Sequence, residues 1–213
     1  DELLANSSKI DDQLAPLTEP NSDAQLIVKL RKARSLRRAE KWPEAIAALQ
    51  DVLRGRRNLM EGQVEAAETL AASAVKTNDL TAFDKAIGGT APDEKGDNII
   101  WGWKRIADTM RRVPQFAVPE KPQTADQAAA AKYADDMAQH QAFMNFFHIG
   151  RYNTALDFYQ HAMALSAAEE RSKLLKAVLY TIDVTSGITP DMGGAAWKAK
   201  YDDLSAKAKK ALQ

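Results

Sequence analysis

Cysteine is absent from the 213-residue chain, which excludes disulfides, thiolate zinc sites, iron–sulfur clusters and a cysteine nucleophile. Aromatic residues are scarce at 7%, so a core must be built mostly from alanine and aliphatic side chains. No apolar run reaches about 18 residues, and no segment therefore reads as a membrane-spanning helix. Net charge is lacking as well: 29 Lys and Arg balance 29 Asp and Glu. A neutral total carries no specific nucleic-acid signature, although a single basic helix face can still dock phosphate. Gly88–Gly89 and Gly193–Gly194 lack the flanks of a phosphate-binding or dinucleotide loop; they read as a helix stop and a helix-start turn. Nor does any residue set specify a hydroxyl–histidine–carboxylate triad. The chain accordingly reads as non-enzymatic, with no cofactor expected.

What the chain does have is 45% hydrophobic residues at helical spacing, and the fold class expected is all-α. Ser22 and Asp23 are placed to cap a helix running towards Glu40, with Leu26, Leu30, Ala33 and Leu36 inward. Lys41–Trp42–Pro43 turns the chain. Pro43 fits a first helical turn, and Ala45, Ile46, Leu49, Val52 and Leu53 continue the returning helix. So short a connection makes the two helices antiparallel neighbours. Further helices are expected over 61–77, 79–87, 99–111, 124–148, 153–165, 169–186 and 194–211, with a tight turn at 148–152. The organisation expected is an amino-terminal arm over 1–20, carrying Leu3, Leu4, Ile10, Leu14 and Leu17, then a single helical domain over 21–213. Within that domain the segment 78–122, with Gly88–Gly89, Pro92, Pro114 and Pro119, is irregular.

The two tight turns superpose at a constant offset of 110 residues. Trp42, Ala45, Ile46, Leu49, Val52 and Leu53 have counterparts in Tyr152, Ala155, Leu156, Tyr159, Ala162 and Met163, and Leu36 matches Phe146. A small residue between large ones lets paired helices approach while the larger side chains fill the gap above and below. With Gly150 in the turn, the pattern resembles the tetratricopeptide repeat: turn glycine, aromatic, alanine, second aromatic, second alanine. Phe143 departs from it, holding a place the family gives to a small residue, and Glu40 replaces the turn glycine of the first hairpin. The resemblance covers 29–57 and 136–167, with 169–211 as a further degenerate hairpin and another all-helical bundle as the alternative. It implies antiparallel hairpins forming a tetratricopeptide-like α–α superhelix. It also implies a protein-interaction or scaffold module, a component of a larger assembly, that takes a protein or peptide in a groove. A small-ligand or metal-binding helical protein is the alternative, with an enzyme behind it.

Charge is unevenly spread. Residues 1–28 hold one base and six acids, whereas residues 29–57 hold ten bases and three acids. Arg34, Arg37, Arg38 and Lys41 group by three- and four-residue spacing and are the candidate site for an acidic peptide or terminal carboxylate; a solvated face balanced by the acidic arm is the alternative. Arg54, Arg56 and Arg57, like Arg111 and Arg112, read as cations at helix carbonyl ends. Trp101 and Trp103 are two apart and cannot both face one helical core, which makes them, with Ile99 and Ile100, a candidate partner surface or a patch beneath the connector. Trp197 and Tyr201, four apart, are expected to close the terminal core. Asp136 and His140, with Asp157 and His161, give an alternative metal set: a hairpin folded about Gly150–Arg151 would place His140 opposite His161 and let four nitrogen and oxygen ligands converge, which suits zinc or another divalent ion. Glu61, Glu65 and Glu68 read as a solvated carboxylate face. The chain opens on Asp1 instead of Met. The expectation drawn is an exported, periplasmic mature protein that has lost a signal peptide, with a trimmed chain or a cytoplasmic location as alternatives.

Overall fold

The computed structural model describes residues 22–92, 99–123 and 126–213, together with Lys9 and Gln13. Apart from these two residues, the expected arm over 1–20 lies outside the described residues. Among those described there are eight α-helices and no strand, so the fold is all-α. The chain divides into two compact units, Asp1–Gly102 and Trp103–Gln213, and the break falls inside the 78–122 segment that the sequence marks as irregular.

Unit 1 carries α1 (Asp23–Arg38), α2 (Trp42–Gly55), α3 (Met60–Thr77) and α4 (Leu80–Gly88). Local chemistry sets their ends, at Ser22 and Pro43 as the sequence predicts and at Asp79 in addition. Ser22 caps α1 by accepting from the Gln25 N–H, Pro43 sits in the first turn of α2, and the Asp79 carboxylate accepts from Thr81 and Ala82 to start α4. α1 packs on α2, α3 packs on α2 and α4, and α1 also touches α3. Ala33 and Ala45 are fully buried, as are Leu49 and Leu53. Each such leucine contributes about 1.5–3 kcal/mol of burial free energy.

A polar clip completes unit 1. The buried Gln63 side chain donates to the carbonyls of Arg57 (2.7 Å) and Ile99 (3.0 Å) and accepts from the Trp101 N–H at 2.9 Å. Beside it Gly89 (φ +94°) and Gly102 (φ +69°) press backbone against backbone: a Cβ on Gly102 would stand 2.3 Å from Gly89 N. Both the positive φ and the contact demand glycine.

Unit 2 holds α5 (Gly102–Arg112, beginning on the boundary residue), a 3₁₀ turn at Pro114–Phe116, α6 (Gln127–Ala164), α7 (Ala168–Ile188) and α8 (Ala195–Ala211). The expected turn at 148–152 does not exist. Residues 127–164 form one continuous helix, so the second of the two superposed turns is helix interior. Gly150 has a different task there. A Cβ at this position would lie 2.8 Å from both Ala107 N and Trp103 O, so the missing side chain lets α6 lie against the backbone of α5. The reversal comes instead at 165–167, where Leu165 is extended and its N–H bonds the Ala162 carbonyl at 3.2 Å. α7 then returns along α6, and α8 packs on both. Their shared core is Ala155, Ala162, Leu175, Val178, Leu204 and Ala208. Ala155 is fully buried as expected, but in a core shared with the helices that follow.

Two glycines inside helices separate packing from propensity. Gly150→Ala is expected to destabilise unit 2 by about 2 kcal/mol or more, because the contacts it would violate are backbone. Gly187→Ala meets nothing within 4 Å and should stabilise α7 by about 0.5 kcal/mol. Thermal or urea unfolding of the two variants checks both signs.

Candidate functional site

In unit 1 the basic face of α1 is spent largely on α3. Arg34 Nε donates to Glu65 Oε2 at 2.6 Å, and Arg37 Nε donates to Glu65 Oε1 at 2.7 Å. A further Arg37 nitrogen, Nη2, lies 3.0 Å from Glu68 Oε2. Glu65 is only 3% exposed, so each of its oxygens takes one short, charge-assisted bond that replaces lost water. Burial raises the Glu68 carboxyl pKa, and Arg37 opposes the rise. The expectation of a solvated carboxylate face is therefore corrected. Glu61 is exposed and Glu68 half-buried, but Glu65 lies inside because α3 packs against α1, α2 and α4 and keeps little open surface. Of the four candidate cations, Arg34 and Arg37 bind their own fold while Arg38 and Lys41 stay exposed.

Next to this clamp, α1 and the start of α3 border a cavity of about 320 Å³. Leu26, Ile27, Leu30 and Leu59 give it an apolar lining, and Arg31, Arg34 and Arg56 outnumber Asp23 and Glu61 around it. Arg56 donates to Asp23 at 2.6 Å across one end. Ile27 is 57% exposed. Burying a side chain of this kind against a partner is favourable by up to about 2 kcal/mol.

The tryptophan pair does not form a partner surface. Trp101 is 7% exposed and Trp103 1%. The helical-spacing rule failed because α5 starts only at Gly102, so Trp101 precedes the helix and takes its own direction. Trp103 reaches α6, where its indole N–H donates to Asp157 Oδ2 at 2.8 Å.

That bond removes the metal alternative as well. With α6 continuous, His140 and His161 stand 21 residues apart along one helix, a separation of about 31 Å. Asp136 pairs with Lys132, His140 Nδ1 lies 3.1 Å from the Gln115 carbonyl oxygen, and Asp157 is buried under Trp103. No group of ligands able to hold a metal occurs among the described residues.

His148 is the polar centre of unit 2 that the sequence reading missed, having assigned it to a turn. It is fully buried, edge-on to Phe147 and stacked on Trp197 at 5.8 Å. The Tyr201 hydroxyl donates to the His148 carbonyl oxygen at 3.4 Å and lies 3.3 Å from its Nδ1. Nε2 has no hydrogen-bond partner among the described residues and abuts Gly193. Burial lowers the His148 pKa to about 4, against a small opposing pull from Asp191. Burial raises Asp157 to about 7, with the Trp103 hydrogen bond opposing. Trp197 and Tyr201 do close the terminal core, together with Tyr152.

Comparison with protein-family models, with curated proteins and with solved structures gives no match in any of the three.

Two measurements test these assignments. Arg37→Ala should destabilise by about 2–3 kcal/mol and Arg34→Ala by about 1, because Arg37 also serves Glu68; Arg38→Ala should lie within about 0.5 kcal/mol of the parent in urea unfolding. The second concerns pH. The unfolded chain protonates His148 near 6.5 but the folded chain only near 4, so this residue costs stability as pH falls through that window. Asp157 acts oppositely: the folded carboxyl keeps its proton to about 7 while the unfolded one ionises near 3.8, so stability is lost as pH rises between them. Each effect is of order 3 kcal/mol and they offset each other in the parent. In Asp157→Asn stability should therefore climb from about pH 4 to 6.5, and in His148→Phe it should decline from about pH 4 to 7. Parent-like profiles in both variants would refute the assignment.

Proposed function

We propose that this chain is a non-enzymatic protein-interaction module and that the unit 1 groove takes an acidic, amphipathic segment of a partner protein, as a component of a larger assembly. The observation that carries this reading is the exposure of Ile27 on an apolar lining, with Arg31, Arg34 and Arg56 around it. An amphipathic helix laid in such a groove buries its apolar stripe on Ile27 and Leu59 and leaves acidic residues to face the arginines. The charge of the region points the same way: residues 29–57 carry ten Lys and Arg against three acids, and Arg38 and Lys41 extend the basic face beyond the groove. Electrostatic attraction of this kind speeds encounter and falls with salt. A helical-repeat character similar to the tetratricopeptide family is proposed for the first hairpin, 29–57, supported by the buried small residues Ala33 and Ala45 and the turn into Trp42–Pro43.

Crosslinking in native material, followed by affinity measurement with the purified partner, tests the reading. Ile27→Asp should weaken binding about tenfold or more while leaving helix content intact, and Arg38→Glu with Lys41→Glu should slow association at low salt. Arg37 is unsuited to this test, because its loss exposes the Glu65 clamp. An unchanged affinity in folded Ile27→Asp places the interface elsewhere.

A further inference from the structure

Unit 2 contains a second cavity, an open cleft of about 360 Å³ bordered by three helices. Lys104 and Asp108 of α5, Arg151, Thr154 and Phe158 of α6, and Tyr180, Thr181 and Val184 of α7 stand at the three-, four- and seven-residue spacings that put side chains on one side of a helix. We propose that this cleft binds a small organic anion, with one carboxylate or phosphate group held by Arg151 and Lys104 and a flat apolar body lying against Phe158, Tyr180 and Val184.

Arg151 is already set for that task. Its Nε donates to Thr185 Oγ1 at 2.9 Å and its Nη2 to the Thr181 carbonyl at 3.0 Å. These bonds use two of the five N–H groups of a guanidinium and fix its plane. Thr185 is itself held, donating to the Thr181 carbonyl at 2.7 Å. No carboxylate forms an ion pair with Arg151 among the described residues, although Asp108 is within electrostatic reach. Burial pulls the guanidinium pKa below its ordinary value; Tyr201 and Asp108 oppose this, and Arg111 adds to it. A half-buried cation of this kind gains from a matching oxyanion in a way that a solvated one does not.

The remaining walls suit the rest of such a ligand. Lys104 Nζ lies 5.0 Å from the centre of the Phe158 ring, which holds the ammonium over an aromatic face at the cleft. Tyr180 is 70% exposed and offers a ring at the mouth. Two cations line the site against the single carboxylate of Asp108, so the lining alone leaves a net positive charge. This site does not depend on the unit 1 groove, and a partner protein bound at one leaves the other reading untouched.

The test is calorimetric and NMR titration of the full chain with 3-phenylpropionate, phenyl phosphate, inorganic phosphate and neutral 3-phenylpropanamide. One or both aromatic anions should bind with a Kd below about 1 mM, and the preferred one identifies the oxyanion. The amide should bind at least about tenfold more weakly. Inorganic phosphate alone, lacking the apolar body, should also be weaker. Lys104→Met, at an exposed position, keeps the fold and should cost about tenfold in affinity, as should Arg151→Gln if its melting curve stays cooperative. Absence of binding by both aromatic anions, equal binding of the amide, or parent-like affinity in Lys104→Met overturns the proposal.

Discussion

The approach of α6 to the backbone of α5 at Gly150 sets the geometry on which unit 2 depends. Because no side chain stands between them, Trp103 can reach Asp157 almost two turns further along α6, and Lys104 and Asp108 come to flank the same cleft as Arg151 and Phe158. A side chain at 150 would push the two helices apart and weaken both relations at once. The indole–carboxyl bond also shows what the packing does to chemistry. Water is excluded so thoroughly that the Asp157 carboxyl keeps its proton up to about pH 7, and a histidine nine residues earlier on the same helix stays neutral down to about pH 4 for the same reason.

Unit 1 reaches closure by different means. Its central helix α3 has three neighbours, and the polar side chains it carries inward must find partners among them. Gln63 does so by bridging the carbonyls of Arg57 and Ile99 and the N–H of Trp101, so that one amide ties the end of α2 and the segment before α5 to α3. Glu65 does so by taking two arginines from α1. A basic helix face that looks like a docking surface in the sequence is thus partly an internal counterion for Glu65.

The ends of the first helices were legible because they rest on local chemistry: Ser22, Pro43 and Gly88–Gly89 act within a turn of themselves. The hairpin reversal in unit 2 was not. Gly150 followed by Tyr152 and Ala155 satisfies a turn pattern and a packing pattern equally, and one glycine inside a helix costs only about 1 kcal/mol, too little to end it. The true reversal at 165–167 carries neither glycine nor proline, and Ala167 starts α7 without a side-chain cap. Tertiary packing of Ala155 and Ala162 on Leu175 and Val178 decides it, and no local signal announces that. Glu65 was misread for a related reason. Its neighbours Ala66, Ala67 and Thr69 are all buried, so α3 is enclosed nearly all round, and amphipathic reasoning that grants every helix a wet face fails there.

The two proposed sites share a logic that follows from how each unit treats its polar groups. In unit 1 the buried Glu65 is matched by two arginines, and Ile27 is left exposed in a groove with arginines around it. In unit 2 the apolar core is closed, and Arg151 is fixed by two threonine contacts with no ion-paired carboxylate among the described residues. An arginine that only covers apolar surface snorkels to water at little cost, whereas Arg151 is held to α7 by two hydrogen bonds. Anchoring it costs side-chain entropy with no ion pair gained among the described residues, and an oxyanion from outside the chain would offset that cost.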